Sequence, residues 1–353
     1  MDAKSLDSEP LVSVAVPVFN GQATVGDAVR SLLAQTYRNL EIVVVDDGST
    51  DGTWEVLESF GSSIRAIRQA NAGIAAARNA GLAVAEGELI ALMDSDDLCE
   101  PERIAAQVRF LEERPEVVLC CSDFGAFNAS GPVSRSFGAT YYHRCSAAEG
   151  GVGARYPNRG QLDITSCLPS PPESAVVVPT HFGGVYEELA LGNFVHPPTV
   201  MFRRSLLAEA GYFEPDVKIM CEWDWLVRVA QTGAIGFIDR PLLSYRLSSS
   251  QISFGEEAAL DSVRVAQRIC ERDPALRERR PEGFRKLFGG LYAEAADSAA
   301  EHHPVQSLSL LATSVLRYRT VTHQTLRTLL KVVAPAPLLE LLRSLMDATP
   351  PIV

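Results

Sequence analysis

The stretch that most constrains the fold is residues 88–97, where a short apolar run meets a cluster of carboxylates. Residues 89–93 have the length and composition of a strand that is buried on both faces. Asp94, Asp96 and Asp97 follow this run directly. The three carboxylates are therefore predicted at the carboxyl edge of an α/β sheet, which is where ligands bind in open sheets of this class.

Asp94 and Asp96 are two residues apart, so in an extended chain both side chains point the same way. Paired carboxylate oxygens at a strand end suit Mg²⁺ or Mn²⁺ that is shared with a substrate phosphate. The alternative is structural. Asp97 or Asp94 then caps a helix that begins near Pro101, because Asp is a favoured N-cap and Pro suits the first turn.

The composition excludes several classes of protein. The 353 residues are 46% hydrophobic, which is enough for one large α/β domain with an appendage or for two domains. The net charge of −12 and the lack of a basic block argue against nucleic acid as a partner. Seven cysteines without metal-like spacing indicate a reducing compartment, and we expect neither a signal peptide nor a spanning helix. These features predict a cytoplasmic protein.

Strand-like and helix-like patterns alternate along the first third of the chain, which predicts βαβ units and a mostly parallel sheet. No G-x-G-x-x-G follows the first strand, so a dinucleotide-binding fold is disfavoured. The predicted strands cover residues 12–18, 41–45, 64–67, 89–93 and 117–121, and the predicted helices cover residues 25–33, 75–85 and 101–114.

The pattern is lost over residues 125–191, a stretch rich in Gly, Pro, Ser and Tyr that is typical of a functional loop or lid. Order returns near residue 199, and beyond a boundary near Gly255 the chain is predicted to be helical throughout. The predicted elements after residue 199 are a strand at 199–202, helices at 205–210 and 221–230, strands at 234–238 and 242–247, and helices at 256–272, 282–301, 304–318 and 326–346.

Two further stretches place charged side chains at predicted strand ends. Asp46 and Asp47 can accept hydrogen bonds from a ribose hydroxyl or a base N–H. Their alternative is a local turn in which Asp46 or Asp51 bonds to nearby backbone. Arg78 lies on a small, apolar helix behind Gly73 and can reach a base or a diphosphate, and its alternative is an ordinary surface arginine.

Four ordered motifs together resemble the inverting family 2 glycosyltransferases of GT-A fold. The motifs are VAVPVFN at 14–20, EIVVVDDGSTDGT at 41–53, NAGIAAARNAG at 71–81 and DSDD at 94–97. The similarity resumes at PTVMFRR, residues 198–204, at GYF, residues 211–213, and at the helix that contains Glu222. It covers roughly residues 12–250 and leaves the stretch 125–191 unmatched.

The resemblance implies a donor site for a nucleoside-diphosphate sugar and a D-x-D motif that holds Mn²⁺ or Mg²⁺. The implied metal ligands are Asp94 and Asp96. The implied nucleotide-binding residues are Pro17, Phe19, Asn20, Asp46, Asp47, Arg78, Asp94 and Ser95.

The resemblance also implies one carboxylate that acts as general base. The family usually shows Glu-Asp before an aromatic-Asp-x-x-x-Arg helix, and the first Asp is the base. Counting back from Arg228 places Glu222 at that position and Asp224 after it, with Cys221 where the family has Glu. Glu222 is the predicted general base, and Asp224 is the second candidate. The alternative for both is an acidic first turn favoured by the helix dipole.

Several other features refine the prediction. The Gln/Arg-x-x-Arg-Trp signature of processive synthases is absent, so a single-addition enzyme is expected. Ser248 replaces the histidine of the family's Tyr-Arg-x-His segment, so no histidine metal ligand is expected. Trp223 and Trp225 are expected to pack, and His196 is a candidate to line the pocket.

The expected domains are a tail at 1–11, a nucleotide-sugar-binding half at 12–122, an acceptor-binding half at 123–254 and a helical region at 255–353. The expected partners are a sugar-nucleotide donor and a saccharide or lipid-linked acceptor. The amphipathic C-terminal helices are expected to pack against the catalytic domain or a second subunit; peripheral contact with the inner face of the membrane is the alternative.

Two alternative functions remain open, a non-catalytic sugar-nucleotide or glycan-binding relative and a sugar-nucleotide pyrophosphorylase.

Overall fold

The computed structural model describes residues 9–142, 151–248 and 255–333. The chain divides into two compact units, residues 1–251 and 252–353. The division lies a few residues before the predicted boundary at Gly255. The predicted tail at 1–11 falls largely outside the described residues.

The first unit is built on one mixed sheet of eleven strands with helices around it, so the predicted α/β class is confirmed. The strands are β1 Val12–Val18, β2 Leu40–Asp46, β3 Arg65–Arg68, β4 Leu89–Leu92, β5 Leu98–Cys99, β6 Val117–Asn128, β7 Gly131–Ser134, β8 Asn158–Asp163, β9 Val177–Gly183, β10 Met201–Arg203 and β11 Ala234–Arg246.

The parallel part of the sheet has the order β3-β2-β1-β4, and this order fixes the position of the site. Val12–Val18 is buried along its whole length because apolar side chains cover both faces of a central parallel strand. Val18 is in register with Asp46, and Ala15 with Leu92, so β1, β2 and β4 end at one edge. Antiparallel β10 follows β4 and joins it to β6, β11, β9 and β8.

Helices of the first unit cover the sheet. The alanine-rich helix packs closely, since a Cβ at Gly81 would lie 3.3 Å from the Ala15 Cβ. The helices are α1 Val25–Leu33, α2 Thr53–Glu58, α3 Ile74–Val84, α4 Arg103–Glu113, α5 Gly138–Tyr141, α6 Tyr186–Ala190, α7 Leu206–Ala210 and α8 Cys221–Thr232.

The stretch predicted as a loop or lid contains more regular structure than its composition indicates. β6 continues to Asn128, β7 pairs with it, and β8 and β9 extend the sheet as an antiparallel pair. The two strands predicted at 234–238 and 242–247 form one strand, β11, which is interrupted by register shifts between Ile238 and Ser244. A bulge with Pro241 hides this continuity in the sequence, because Pro demotes a strand pattern.

Residues 255–333, the described part of the second unit, are helical, as predicted. Its helices are α9 Glu256–Arg272, α10 Pro274–Arg279, α11 Pro281–Ala299, α12 Pro304–Ala312 with a π-helical turn at Thr313–Arg317, and α13 His323–Val333. The helix predicted at 326–346 extends beyond the described residues. Within the described residues, no helix is long and apolar enough to cross a bilayer.

Candidate active site at the carboxyl edge of the parallel strands

Predicted site residues from three strand ends lie at one edge of the sheet. β1 leads into Phe19 and Asn20, and Asn20 adopts a left-handed conformation with φ of 50°. The Asn20 N–H donates to Ser49 Oγ at 2.8 Å, and the Thr50 N–H donates to Asn20 Oδ1 at 2.8 Å. The loops after β1 and β2 are therefore joined directly, as their shared edge requires.

The Asp46 and Asp47 carboxylates are buried and organise this edge. Asp46 Oδ1 accepts from the Ser49 N–H at 2.9 Å, and Arg68 Nε lies 3.1 Å from Asp46 Oδ2. Asp46 therefore forms the local turn with nearby backbone that the sequence analysis gave as its alternative role. Gly48 makes it possible, because its φ is +77° and a Cβ there would lie 2.7 Å from the Asn71 nitrogen.

Asp47 holds the loop that leads into α3. Its Oδ1 accepts from Gln69 Nε2 at 2.7 Å and from the Ala72 N–H at 3.0 Å, and its Oδ2 accepts from the Gly73 N–H at 2.8 Å. A carboxylate that accepts several N–H groups fixes the backbone that donates them. Asp47 therefore sets the start of the helix that contains Arg78.

Residues 94–97, which follow β4 after Met93, form a turn rather than a continued strand. β4 ends at Leu92, and the Asp97 N–H reaches the Asp94 carbonyl oxygen at 3.4 Å. The extended conformation from which a common direction of Asp94 and Asp96 was expected is therefore not present. The capping alternative is also absent, since the helix that follows has Glu102 at its N-cap and no side-chain cap bond.

Ionisation of the acidic turn is disfavoured by burial and by the proximity of its carboxylates. Burial and the adjacent Asp94 charge raise the pKa of Asp96 to about 6. Burial, with Asp96 and Asp94 adding to it, raises the pKa of Asp97 well above its usual range. Like charges held close together disfavour ionisation of one another, and a bound cation removes that penalty.

Two arginines that were not predicted as site residues support the acidic turn. Arg246 donates from its backbone N–H to Asp97 Oδ1 at 2.9 Å and from Nε to the Asp96 carbonyl oxygen at 2.7 Å. Arg103 is fully buried, and its Nη2 donates to the Leu92 carbonyl oxygen at 2.8 Å. Arg246 lies in the Tyr-Arg-x-Ser segment, so its similarity to the family's Tyr-Arg-x-His segment could have identified it as a site residue. The sequence around Arg103 is that of a surface residue of a helix and gives no such indication.

Arg78 is buried, with 2% of its side chain exposed, so it is not the surface arginine that was its alternative. Its Nη2 donates to Asp94 Oδ1 at 2.9 Å, and its Nη1 forms an ion pair with Glu222 Oε1. The guanidinium also lies 5.7 Å from the centre of the Phe213 ring. The Arg78 guanidinium therefore contacts both the candidate base, Glu222, and the acidic turn at Asp94.

Asp224 lies in a different environment from Glu222. It is fully buried and 3.2 Å from Arg228 Nε on the same helix. Arg228 in turn donates to the carbonyl oxygens of Ala210 and Tyr212. Asp224 therefore stabilises the packing of α8 on the preceding segment, and the structure does not bring it to Asp94.

The two tryptophans of α8 are buried and pack, as expected. Trp223 Nε1 donates to the Leu189 carbonyl oxygen at 2.7 Å, and Trp225 Nε1 donates to the Gly211 carbonyl oxygen at 2.9 Å. Neither side chain has the exposure needed to contact an acceptor.

His196 lies within an aromatic cluster, stacked on Phe124 with ring centres 3.9 Å apart. Its Nδ1 lies 3.2 Å from the Tyr142 hydroxyl, and its Nε2 is buried and has no hydrogen-bond partner in the described part of the chain. Burial, with contributions from the positive charges of Arg103 and Arg78, lowers the pKa of His196 to about 3. The ring is therefore neutral at physiological pH.

The donor set at the turn fits a hard divalent cation. In the described part of the chain, no three His, Cys, Asp or Glu side chains converge as a ligand set. Asp94 and Asp96 alone supply two carboxylates, and Mg²⁺ typically binds through one or two carboxylates plus substrate phosphates and water. A depression lined by Pro10, Glu88 and Arg203 lies at the opposite edge of the strands and contains none of these residues.

Comparison with known proteins identifies the family that this chain resembles. Residues 13–148 match the family model described as Glycosyl transferase family 2. An uncharacterized glycosyltransferase of Rickettsia felis is 42% identical over 257 residues, which are 71% of this chain and 35% of that relative. The Escherichia coli UDP-Glc:alpha-D-GlcNAc-diphosphoundecaprenol beta-1,3-glucosyltransferase WfaP is 39% identical over 104 residues, 29% of this chain and 41% of its own length. The chain spans well under half the length of these curated relatives.

A solved structure is similar over most of the chain. The mannosyltransferase PcManGT from Pyrobaculum calidifontis, in complex with GDP-Man and Mn²⁺, matches with a TM-score of 0.55 and 19% identity. The match covers 94% of this chain and 88% of that structure. At this identity the likeness concerns the fold, and it agrees with the predicted GT-A type. Residues 13–148 of this chain therefore belong to glycosyl transferase family 2.

Proposed function

We propose that this chain is an inverting, metal-dependent and non-processive glycosyltransferase. It transfers a sugar from a nucleoside-diphosphate sugar to a hydroxyl group of a saccharide or lipid-linked acceptor. The observation that carries the proposal is the convergence of Asp94 and Glu222 on the buried Arg78 guanidinium. This contact joins a candidate diphosphate site to a candidate base.

The donor nucleotide is proposed to bind over the ends of β1, β2 and β4. Pro17, Phe19 and Asn20 come from the first loop, and Asp46 and Asp47 from the second. Phe19 is 51% exposed, which leaves its ring available for a ligand. The names of the two relatives, one specifying UDP-Glc and the other a complex with GDP-Man, support a nucleoside-diphosphate sugar as donor.

Asp94 and Asp96 would hold a divalent cation, with Ser95 between them beside the diphosphate. Mn²⁺ or Mg²⁺ bound there supplies positive charge that stabilises a diphosphate leaving group. The Mn²⁺ named with the mannosyltransferase complex supports a cation in this fold. The raised pKa of Asp96 is consistent with such a cation, because burial and the adjacent Asp94 charge both disfavour the ionised carboxylate and a bound cation offsets that cost.

Glu222 is proposed as the general base of a single displacement. The acceptor hydroxyl oxygen forms a bond to C1 of the sugar while its proton passes to the Glu222 carboxylate. The bond between C1 and the diphosphate oxygen breaks on the opposite face, and the electron pair leaves with the nucleoside diphosphate. Attack opposite the leaving group inverts the anomeric configuration.

The test is a thermal-shift panel of UDP-glucose, UDP-GlcNAc, GDP-mannose and dTDP-glucose with and without Mn²⁺. We expect one of them to raise the Tm with Mn²⁺, and Asp96→Asn to abolish that shift. Asp239→Asn is the matched control, because the Asp239 side chain is half-exposed and lies 3.7 Å from His181 Nε2, away from the acidic turn. Failure of every nucleotide to shift the Tm would contradict the donor site.

Product analysis with the nucleotide that binds distinguishes the alternatives. Release of nucleoside diphosphate supports glycosyl transfer, to water when no acceptor is present. Formation of pyrophosphate and a sugar phosphate from nucleoside triphosphate identifies a pyrophosphorylase. Binding with neither product, also in the presence of saccharide acceptors, identifies a non-catalytic relative.

A further inference from the structure

Arg78 is a buried cation between two carboxylates that come from separate parts of the first unit. Asp94 lies after β4, and Glu222 lies in the first turn of α8. The Asp94 side chain is 29% exposed and that of Glu222 is 12% exposed, whereas that of Arg78 is 2% exposed. The two acids therefore face the solvent side of the site and the guanidinium lies behind them.

Both terminal nitrogens of Arg78 are engaged. Nη2 donates to Asp94 Oδ1 at 2.9 Å, and Nη1 contacts Glu222 Oε1 and lies 3.9 Å from Cys221 Sγ. Only Arg has a planar fork that can hold two carboxylates at a fixed separation, since a Lys ammonium is a single point of charge. Burial of the fork without either acid would leave an uncompensated charge, which is strongly unfavourable.

This geometry differs from that of a residue that binds the nucleotide directly. A ligand for a base or a diphosphate needs donors that reach the cleft, and those of Arg78 are directed to protein carboxylates. Its Nε is also buried, and it has no partner among the described residues. These contacts suggest a second role for Arg78, different from the nucleotide binding predicted from the sequence.

We infer that Arg78 is a positioning residue that fixes the distance between the Glu222 carboxylate and the Asp94 carboxylate. The inference rests on the proposed function, because it assigns Arg78 to the alignment of the base with the donor site. Arg78 acts through the two acids and makes no contact with the sugar or the acceptor. Loss of Arg78 therefore affects turnover more than it affects nucleotide affinity.

The first experiment compares kcat with nucleotide affinity in Arg78→Ala and Arg78→Lys. The kcat is measured as nucleoside diphosphate release from UDP-glucose or GDP-mannose, whichever the wild type accepts, and the Kd of UDP or GDP is measured by calorimetry. We expect kcat to fall about 100-fold or more in both variants while the Kd changes less than about threefold. A Kd that weakens tenfold with kcat retained would overturn the inference and identify Arg78 as a nucleotide ligand.

Chemical rescue tests the charge and the shape at once. Guanidinium chloride at millimolar concentration is expected to raise the kcat of Arg78→Ala at least tenfold, because guanidinium occupies the site between the two acids. Urea has the same shape without charge and is expected to restore none. Equal effects of the two additives contradict the inference. Arg109→Ala is the control, since Arg109 is partly exposed and pairs with Glu113 on its own helix.

A double-mutant cycle on stability tests the contact without relying on catalysis. The Tm is measured for Arg78→Met, Glu222→Gln and the double variant, all without nucleotide. We expect the Tm losses to be clearly non-additive, because the second change removes a partner that is already missing. Additive losses contradict the bridge. Non-additivity together with no product from the wild-type chain would instead retain the bridge and reject the proposed function.

Discussion

The backbone N–H of Arg246 donates to Asp97 Oδ1 at 2.9 Å, while Asp97 Oδ2 is buried and finds no hydrogen-bond partner within residues 9–142, 151–248 and 255–333. This bond ties the end of β11 to the acidic turn after β4. Because the Arg246 side chain also donates to the Asp96 carbonyl oxygen, the backbone of the turn is held from one side. The side chains of Asp94 and Asp96 are then placed by a rigid turn, as a metal or phosphate site requires.

Asp97→Asn is expected to be as stable as the wild type or more stable at pH 7. The pKa of Asp97 is higher in the folded state than in the unfolded state, where it is about 4. The contribution of Asp97 to the free energy of unfolding is therefore fully present below pH 4 and is lost as the pH rises through the folded-state pKa. Asn keeps an oxygen for the Arg246 N–H and has no proton to lose. Asp97→Ala leaves that N–H unsatisfied and is expected to lose about 1–3 kcal/mol. Urea unfolding at pH 7 in EDTA measures both, and equal losses in the two variants would refute this explanation.

His196 is expected to make the protein less stable in acid. Its pKa is lowered to about 3 in the folded state, against about 6.5 unfolded, so the unfolded state binds the proton more tightly. Stability is then lost as pH falls from about 6.5 toward 3, by up to about 1.4 kcal/mol per pH unit. His196→Gln does not titrate, so its free energy of unfolding between pH 7 and pH 4 should fall less steeply. Identical slopes for the two proteins would count against a neutral, buried His196.

Glu222 and Asp224 are expected to separate function from stability. Glu222→Gln should lose nearly all turnover, because a glutamine cannot accept the proton, and its Tm should also fall because Arg78 loses a charge partner. Asp224→Asn breaks the buried pair with Arg228 and is expected to cost about 3 kcal/mol of stability, with nucleotide affinity unchanged. Thermal unfolding and nucleoside diphosphate release measure the two effects. The opposite pattern would make Asp224 the base.

Asp47→Asn is expected to weaken UDP or GDP binding about tenfold, since one acceptor for the N–H groups of the loop is lost and a donor takes its place. The loop that Asp47 holds, residues 69–73, leads directly into α3. Asp51→Asn is the control, because Asp51 bonds mainly to the turn at Thr53. Calorimetric Kd values compare the two variants. Equal Kd values would mean that the loop does not shape the donor site.

The fold of the first third was predictable because its signals are local. The strand that ends at Val18 and the one that ends at Asp46 have apolar runs of strand length, and Gly48 marks the turn between strand and helix. In β9, by contrast, strand pairing depends on a distant strand, since His181 of β9 is in register with Phe237 of β11. Pairing of that kind is decided by tertiary context and leaves little periodicity in the sequence.

The candidate site was predicted as a set of residue types and not as a set of contacts. The DSDD motif located Asp94 and Asp96, and the helix pattern located Glu222. The contacts that organise them were not visible, because Arg78 and Arg246 each reach partners more than a hundred residues away. A buried arginine on an alanine-rich helix has the same local signature as an exposed one, and only the packing of α8 distinguishes them.

The most direct test of the account is anomalous diffraction from crystals soaked with Mn²⁺ and UDP or GDP. We expect one Mn²⁺ peak within about 2.5 Å of carboxylate oxygens of Asp94 or Asp96, with the diphosphate against it and the base over the ends of β1 and β2. A nucleotide bound elsewhere on the chain, or a metal peak remote from both aspartates, would contradict the assignment of this edge as the donor site.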